Sequence, residues 1–151
     1  MKSNLFISTV EEYNLCKEYC EPLINPLFEI EIKLRVHLQY EMFCDSSSRT
    51  NIVSANDRFY HFVWNNKGEY CENCFRPLYE YSASFISHIL TRGGFAEMSL
   101  DPRNTNKLCF LCHAEWESGK NSSMLIYPKN ILTIEKLKYE YNILRKGNIN
   151  S

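Results

Sequence analysis

The sequence has no excess charge of either sign and no long hydrophobic run. Its 17 basic and 18 acidic side chains give a formal net charge of -1, which excludes an acidic tail and a basic coat for nucleic acid. No stretch approaches the roughly 20 apolar residues that span a bilayer. The apolar run near the start, Leu5 to Ile7, is too short for the core of a signal peptide. We therefore expect a cytoplasmic protein without a membrane segment.

Four of the seven cysteines stand in two short pairs. Cys71 and Cys74 form the first pair, Cys109 and Cys112 form the second, and 34 residues separate the pairs. Each short turn can present two thiolates to one ion at about 2.3 Å, which is the arrangement of a structural tetrahedral zinc site. An odd cysteine count with metal-type spacing also fits a reducing compartment better than a secreted disulfide scaffold. The sequence therefore predicts one structural zinc ion.

Residues 1–66 predict a small α+β extension that carries no recognisable chemistry. A capping box, Thr9 to Glu12, predicts a helix over about residues 10–20. Every even position from 28 to 42 is apolar and every odd position is polar, which predicts one long strand. The aromatic residues 59–64 predict a second strand, paired antiparallel with the first. An unpaired edge of the long strand could recruit a second copy, so a homodimer is an open alternative.

Residues 128–151 predict a basic amphipathic helix and tail. Between Lys129 and Lys146 there are five basic and two acidic side chains, so this helix is the first candidate for contact with a phosphate backbone. An ordinary docking helix with a solvated lysine-rich face is the alternative. The apolar face that would pack on the rest of the protein consists of Ile131, Ile134, Leu137, Tyr141 and Leu144.

Residues 67–127 form the central region, which contains both cysteine pairs. A strand is predicted over 82–90 with His88 near its end, and a loop follows that contains Asn104. After the second cysteine pair, His113 begins a predicted helix that Gly119 ends. The zinc ion would join the two cysteine pairs and so bring the strand end and the helix start together.

These residues resemble the HNH endonucleases of the ββα-metal superfamily. The resemblance is carried by Cys-x2-Cys, then Ser-His-Ile-Leu-x-Arg-Gly-Gly from Ser87, then Asn104-x4-Cys-x2-Cys-His113. The Ser-His-Ile-x-x-Arg-Gly segment is similar to that of the phage recombination nucleases of the Rap/NinG type. The resemblance spans roughly residues 69–120 and implies an α+β fold with a zinc-stapled ββα core. Residues 1–66 match no family that we recognise.

The resemblance implies a role for each residue of the motif. His88 takes the place of the general base that removes a proton from the attacking water. Asn104 stands where the family asparagine fixes the loop and orients that base. His113 takes the last motif position, which holds one divalent cation, Mg²⁺ or Mn²⁺. Ser87 stands where relatives carry an acidic residue or a histidine as the second metal ligand.

Three further points of the expected site stay open. The neutral hydroxyl of Ser87 binds a hard cation more weakly than a carboxylate does, so Glu97 or Asp101 is an alternative ligand. Arg92 and Arg103 are candidate substrate-binding residues that could contact a phosphate, or they are solvated loop cations.

The expected function is hydrolysis of DNA phosphodiester bonds. Residues 67–120 hold six basic and seven acidic side chains, so DNA binding by counterion release would be modest. This favours a structure-selective nuclease acting on recombination or replication intermediates over a nonspecific one. Two alternatives remain: a non-catalytic zinc-stabilised module that binds nucleic acid or protein, and a purely structural zinc ribbon.

Overall fold

The computed structural model describes residues 26–43 and 52–149, and within them the chain is α+β. The helix expected at about residues 10–20 and the last residues of the predicted tail lie outside the described residues. No helix in the described ranges is long and apolar enough to cross a membrane. In order, the helices and strands are α1 (Pro26–Phe43), α2 (Ile52–Asn66), β1 (Ile86–His88), β2 (Thr105–Lys107), α3 (Phe110–Glu117) and α4 (Tyr127–Ile149).

The long strand predicted over residues 28–42 is wrong, because this segment lies inside helix α1. Two residues advance a helix by about 200°, so strict alternation places apolar side chains on two opposite faces. One face is buried, with Ile32 at 0% exposure. The other is exposed at Ile30, Leu34, Leu38 and Met42, each between 52% and 59%. Strong helix formers at the intervening positions, with the Glu29–Lys33 ion pair at 2.7 Å, favour the helix.

The second predicted strand, over residues 59–64, is also wrong, because it lies inside helix α2. The buried residues of α2 are Ala55, Phe59 and Val63, which are spaced four apart as on one face of a helix. The aromatic run alone was too short to reveal that period. The ring of Phe59 packs edge-on against Phe43 of α1, with centroids 5.1 Å apart.

A two-stranded antiparallel sheet followed by a helix forms the centre of the molecule. β1 pairs with β2 so that His88 lies opposite Thr105 and Ser87 opposite Asn106. Helix α3 follows β2 closely, and Gly119 lies just beyond its end with a φ of +76°, a left-handed conformation that favours glycine. The strand end at His88 and the helix end near Gly119 agree with the sequence prediction, but β1 is shorter than the strand predicted over 82–90, and α3 begins at Phe110 rather than at His113.

The core consists of three clusters that connect all parts of the described chain. One surrounds the cysteines with Leu108, Trp116 and Ile126, and another packs α2 residues against Ile86 of β1. The third joins Ile32 of α1 to Leu137 and Leu144 of α4. Packing therefore crosses the predicted boundaries at residues 66 and 127, and the apolar face predicted for the C-terminal helix is the side that α4 buries.

Truncation of a side chain should lower the stability of the protein on the buried face of α1 but not on its exposed face. We expect Ile32→Ala to lower the free energy of unfolding by about 2–5 kcal/mol, because it leaves a cavity in the core. Leu34→Ala, two residues away on the exposed face, should change it by no more than about 0.5 kcal/mol. Urea denaturation of the zinc-loaded protein measures both values. A larger loss at Leu34 than at Ile32 would contradict the orientation of α1.

Candidate functional site

The four cysteines of the two pairs lie together, as the sequence predicted. Their Sγ atoms are all within 4.8 Å of one another, and Sγ of Cys74 is 3.7 Å from Sγ of Cys109. Four sulfurs at about 2.3 Å from a central ion stand about 3.8 Å apart in a tetrahedron. The cluster is therefore consistent with one structural zinc ion. It is the one group of three or more such ligands within residues 26–43 and 52–149.

Each cysteine pair is shaped by its own backbone turn. In the first, the N–H of Phe75 donates to Cys71 O (2.9 Å) and the N–H of Cys71 donates to Arg76 O (2.8 Å). Phe75 closes this turn with a φ of 59°. In the second, Cys109 is the residue before helix α3, and the N–H of His113 donates to Cys109 O (2.9 Å). The cysteine cluster therefore includes the residue that precedes α3.

N–H donors contact the sulfurs of Cys71 and Cys112 and act against the effect of burial on the pKa of each thiol. Burial acts to raise the pKa of Cys71, but backbone N–H groups of Cys74, Cys109 and Asn73 lower it to about 7. Burial raises the pKa of Cys112 to about 12, although the amide of Asn73 acts in the other direction. That amide lies 3.3 Å from Sγ of Cys112. Such donors to sulfur are typical of the surroundings of metal-bound thiolates.

His88 is held at the end of β1 with one ring nitrogen occupied. Its Nε2 lies 2.9 Å from the carbonyl oxygen of Ser99, which can only accept, so Nε2 carries the hydrogen and Nδ1 is left as a free base. Burial lowers the pKa of His88, the Ser99 contact acts to raise it, and the charges of Arg92 and His113 lower it further. The imidazole is therefore neutral at cellular pH.

Asn104 closes the loop that carries Ser99. Its side chain is fully buried, and Oδ1 accepts from the N–H of Leu90 (2.7 Å). Nδ2 donates to the carbonyl oxygens of Leu90 (3.0 Å) and Met98 (3.1 Å). The amide thus ties the start of the loop to the residue next to Ser99, whose carbonyl orients His88. These contacts are what the predicted positioning role requires.

His113 lies on α3 with both ring nitrogens in contact. Nδ1 is 2.6 Å from the carbonyl oxygen of Ser84, and Nε2 is 3.0 Å from Oε1 of Glu117, one helical turn further along. The Ser84 carbonyl can only accept, so Nδ1 donates and Nε2 is left facing the carboxylate. Glu117 is a site residue that the sequence argument missed. Its signal was available, because residues four apart on a predicted helix share a face.

His88 and His113 line the same cavity, which has a volume of about 810 Å³. Arg92 and Tyr60 line it as well, with the guanidinium of Arg92 6.0 Å from the ring centre of Tyr60. No carboxylate among the described residues pairs with Arg92, so it stays a candidate phosphate ligand. The remaining lining residues are Ala83, Ser84, Ile86, Ile89, Thr91, Trp116, Glu117, Asn121, Tyr127, Ile131 and Ile134.

Ser87 and Arg103 do not lie where their predicted roles require. Ser87 is fully buried, is not among the lining residues of the cavity, and its Oγ has no hydrogen-bond partner in the described part of the chain. Alternation along β1 turns its side chain away from the face that carries His88. The guanidinium of Arg103 is bound by Asp101 (2.6 Å) and Glu140 (2.8 Å), so it is not available to a phosphate.

Both carboxylates named as alternative metal ligands are also engaged elsewhere. Asp101 is buried and bonded to Arg103. Glu97 pairs with Arg145 of α4 at 3.2 Å. Neither of them lines the cavity of His88 and His113.

Comparisons with known proteins found no family model, no curated protein and no solved structure that match this chain.

The geometry of the cysteine cluster predicts that loss of one of its thiols destabilises the central region. We expect Cys71→Ser to abolish zinc binding and unfold this region, because structural zinc contributes about 10–16 kcal/mol of apparent binding free energy. Cys44→Ser, which changes a cysteine that belongs to neither short pair in the sequence, should keep one zinc per chain. Metal analysis and circular dichroism measure both. A folded, zinc-loaded Cys71→Ser protein would contradict the assignment.

The contacts of His88 predict its tautomer and the direction of its titration. The ring should be protonated at Nε2, and its titration midpoint should lie below the ordinary value of about 6.5. Two-dimensional NMR of ¹⁵N-labelled histidine in the zinc-loaded protein reports both quantities. A hydrogen on Nδ1 of the neutral ring, or a midpoint of His88 above about 6.5, would contradict this geometry.

Proposed function

We propose that this chain is a zinc-stabilised endonuclease of the HNH type that hydrolyses DNA phosphodiester bonds. The observation that supports it best is the state of His88: a neutral imidazole whose Nδ1 is free, held by Ser99 in a cavity that His113 and Arg92 also line. A base, a candidate cation ligand and a candidate phosphate ligand are the groups that such hydrolysis requires. The segments Ser87 to Gly94 and Asn104 to His113 also resemble the motif of the HNH endonucleases.

In this proposal the protein's own residues position and deprotonate the attacking water. Nδ1 of His88 accepts the proton of the water while Nε2 keeps its hydrogen bond to the Ser99 carbonyl. That carbonyl stabilises the imidazolium that forms, because its oxygen faces the charged N–H. Asn104 prevents the Ser99 carbonyl from shifting by tying both ends of the loop. Arg92 binds a phosphate oxygen and so places the phosphorus near the water.

The donors at the cavity fit a divalent cation. Nε2 of a neutral His113 ring is a suitable ligand for Mn²⁺, and Mg²⁺ needs few protein ligands because it keeps several waters. Bound Mg²⁺ or Mn²⁺ would supply charge stabilisation at the phosphate and at the leaving oxygen.

The near-neutral charge of the central region favours a nuclease that selects its substrate by DNA structure. The near balance of basic and acidic side chains in residues 67–120 gives little nonspecific attraction to duplex DNA. Basic residues on α4 such as Lys138 and Lys146, both exposed, would supply additional phosphate contacts. DNA with branches or flaps, as formed in recombination and replication, is therefore the proposed substrate class.

A non-catalytic binding module is the second candidate, and the burial of Ser87 is what favours it. If no other residue replaces the ligand expected at that position, the same fold would bind DNA or protein without cutting. Under that alternative, mutation of His88 would leave the observable function unchanged.

Cleavage assays separate the two candidates. Zinc-loaded protein with Mg²⁺ or Mn²⁺ should cut at least one of duplex, flap and four-way junction DNA. His88→Ala should reduce the rate by about 10²–10⁴-fold, the usual contribution of a general base, whereas His37→Ala on the exposed face of α1 should not change it. Zinc content confirms that each variant is folded.

The pH dependence gives a second measurement on the same assay. Because burial lowers the pKa of His88, kcat/KM should fall on the acid side with a midpoint below about 6.5. If the protein binds all three DNAs but cleaves none of them with Mg²⁺ or Mn²⁺, the proposed nuclease activity is refuted and the binding module is the remaining candidate.

A further inference from the structure

Helix α3 presents an imidazole and a carboxylate to the cavity as a pair. His113 and Glu117 are four residues apart, and Nε2 and Oε1 lie 3.0 Å from each other. Both line the cavity that contains His88. Glu117 is the one carboxylate among the described residues that line it.

The contact of His113 with Ser84 determines which ring nitrogen can bind a cation. Nδ1 lies 2.6 Å from the Ser84 carbonyl oxygen, so Nδ1 carries a hydrogen and the lone pair of a neutral ring is on Nε2. Two acceptors, Nε2 and Oε1, then face each other at hydrogen-bond distance. A proton or a cation between them is required to make that approach favourable. A histidine that donates its other ring nitrogen to a carbonyl is also the usual arrangement of a metal ligand.

We propose that His113 and Glu117 together hold the divalent cation, and that Glu117 takes the place of the ligand missing at Ser87. The ion's part in cleavage rests on the proposed function, but its binding does not. One imidazole nitrogen and one carboxylate suit Mn²⁺. The side chain of Glu117 is 69% exposed, which leaves room for the waters that Mn²⁺ and Mg²⁺ retain.

The competing explanation is an ordinary ion pair on a helix surface. A protonated histidine and a glutamate four residues apart stabilise a helix slightly without any ligand. Under that explanation, replacing Glu117 would alter no metal affinity. Glu115 provides a matched control, because it is an exposed glutamate on the same helix that does not line the cavity.

Paramagnetic NMR of the zinc-loaded full chain tests the proposal. Mn²⁺ titrated to millimolar concentration should broaden the ring signals of His113 first and those of His88 next, while the signals of His37 stay sharp. Glu117→Gln should raise the Mn²⁺ concentration needed by at least about tenfold, the loss typical of a disturbed metal site. Ser87→Ala and Glu115→Gln should match the unmodified protein, and Glu117→His should retain binding because histidine is itself a ligand.

Two results would overturn the proposal: Glu117→Gln binding Mn²⁺ like the unmodified protein, or no selective broadening of His113 at any concentration. Zinc analysis after each titration shows that Mn²⁺ has not displaced zinc from the cysteines. Because binding is measured without DNA, its outcome is separate from that of the nuclease. Mn²⁺ bound through Glu117 in a protein that cuts no DNA would refute the proposed function alone.

Discussion

The buried amide of Asn104 is the interaction on which the arrangement of the cavity depends. Its oxygen and its nitrogen make three hydrogen bonds, two to Leu90 and one to Met98. The loop between these residues is thereby closed at its base, and the carbonyl of Ser99 meets the ring of His88. Loss of the amide would leave buried backbone groups unpaired, at a cost of about 1–3 kcal/mol each. By holding the loop, Asn104 also determines the tautomer of His88, because the Ser99 contact decides which ring nitrogen of His88 is free.

The cysteine cluster supplies the second constraint, because it holds the start of α3 against the rest of the central region. His113 follows Cys112 directly, so its position is set within one residue of the cluster. The Ser84 carbonyl, just before β1, then fixes the rotation of the ring. Two segments far apart in the sequence therefore meet at one cavity: β1 with the turn before it, and the first turns of α3.

The parts of this arrangement that were predictable are those with local spacing. The short cysteine pairs, the strand end at His88 and the helix end near Gly119 each have a pattern within a few residues. Helix α1 was not predictable in the same way, because alternation of apolar residues fits a strand as well as a helix with two apolar faces. Tertiary packing of Ile32 decided between them. The ion pair of Arg103 with Glu140 was also not predictable from the sequence, because the two residues are 37 positions apart.

The central claim is that Asn104 acts on cleavage through His88, and a double-mutant cycle tests it most directly. Single-turnover rates would be measured for Asn104→Ala, His88→Ala and the double variant, at a temperature where all three keep their zinc. We predict that each single variant is slower than the unmodified protein and that the double variant is no slower than His88→Ala. Independent, multiplicative losses in the double variant would contradict the account, because Asn104 would then act by a route that does not include His88.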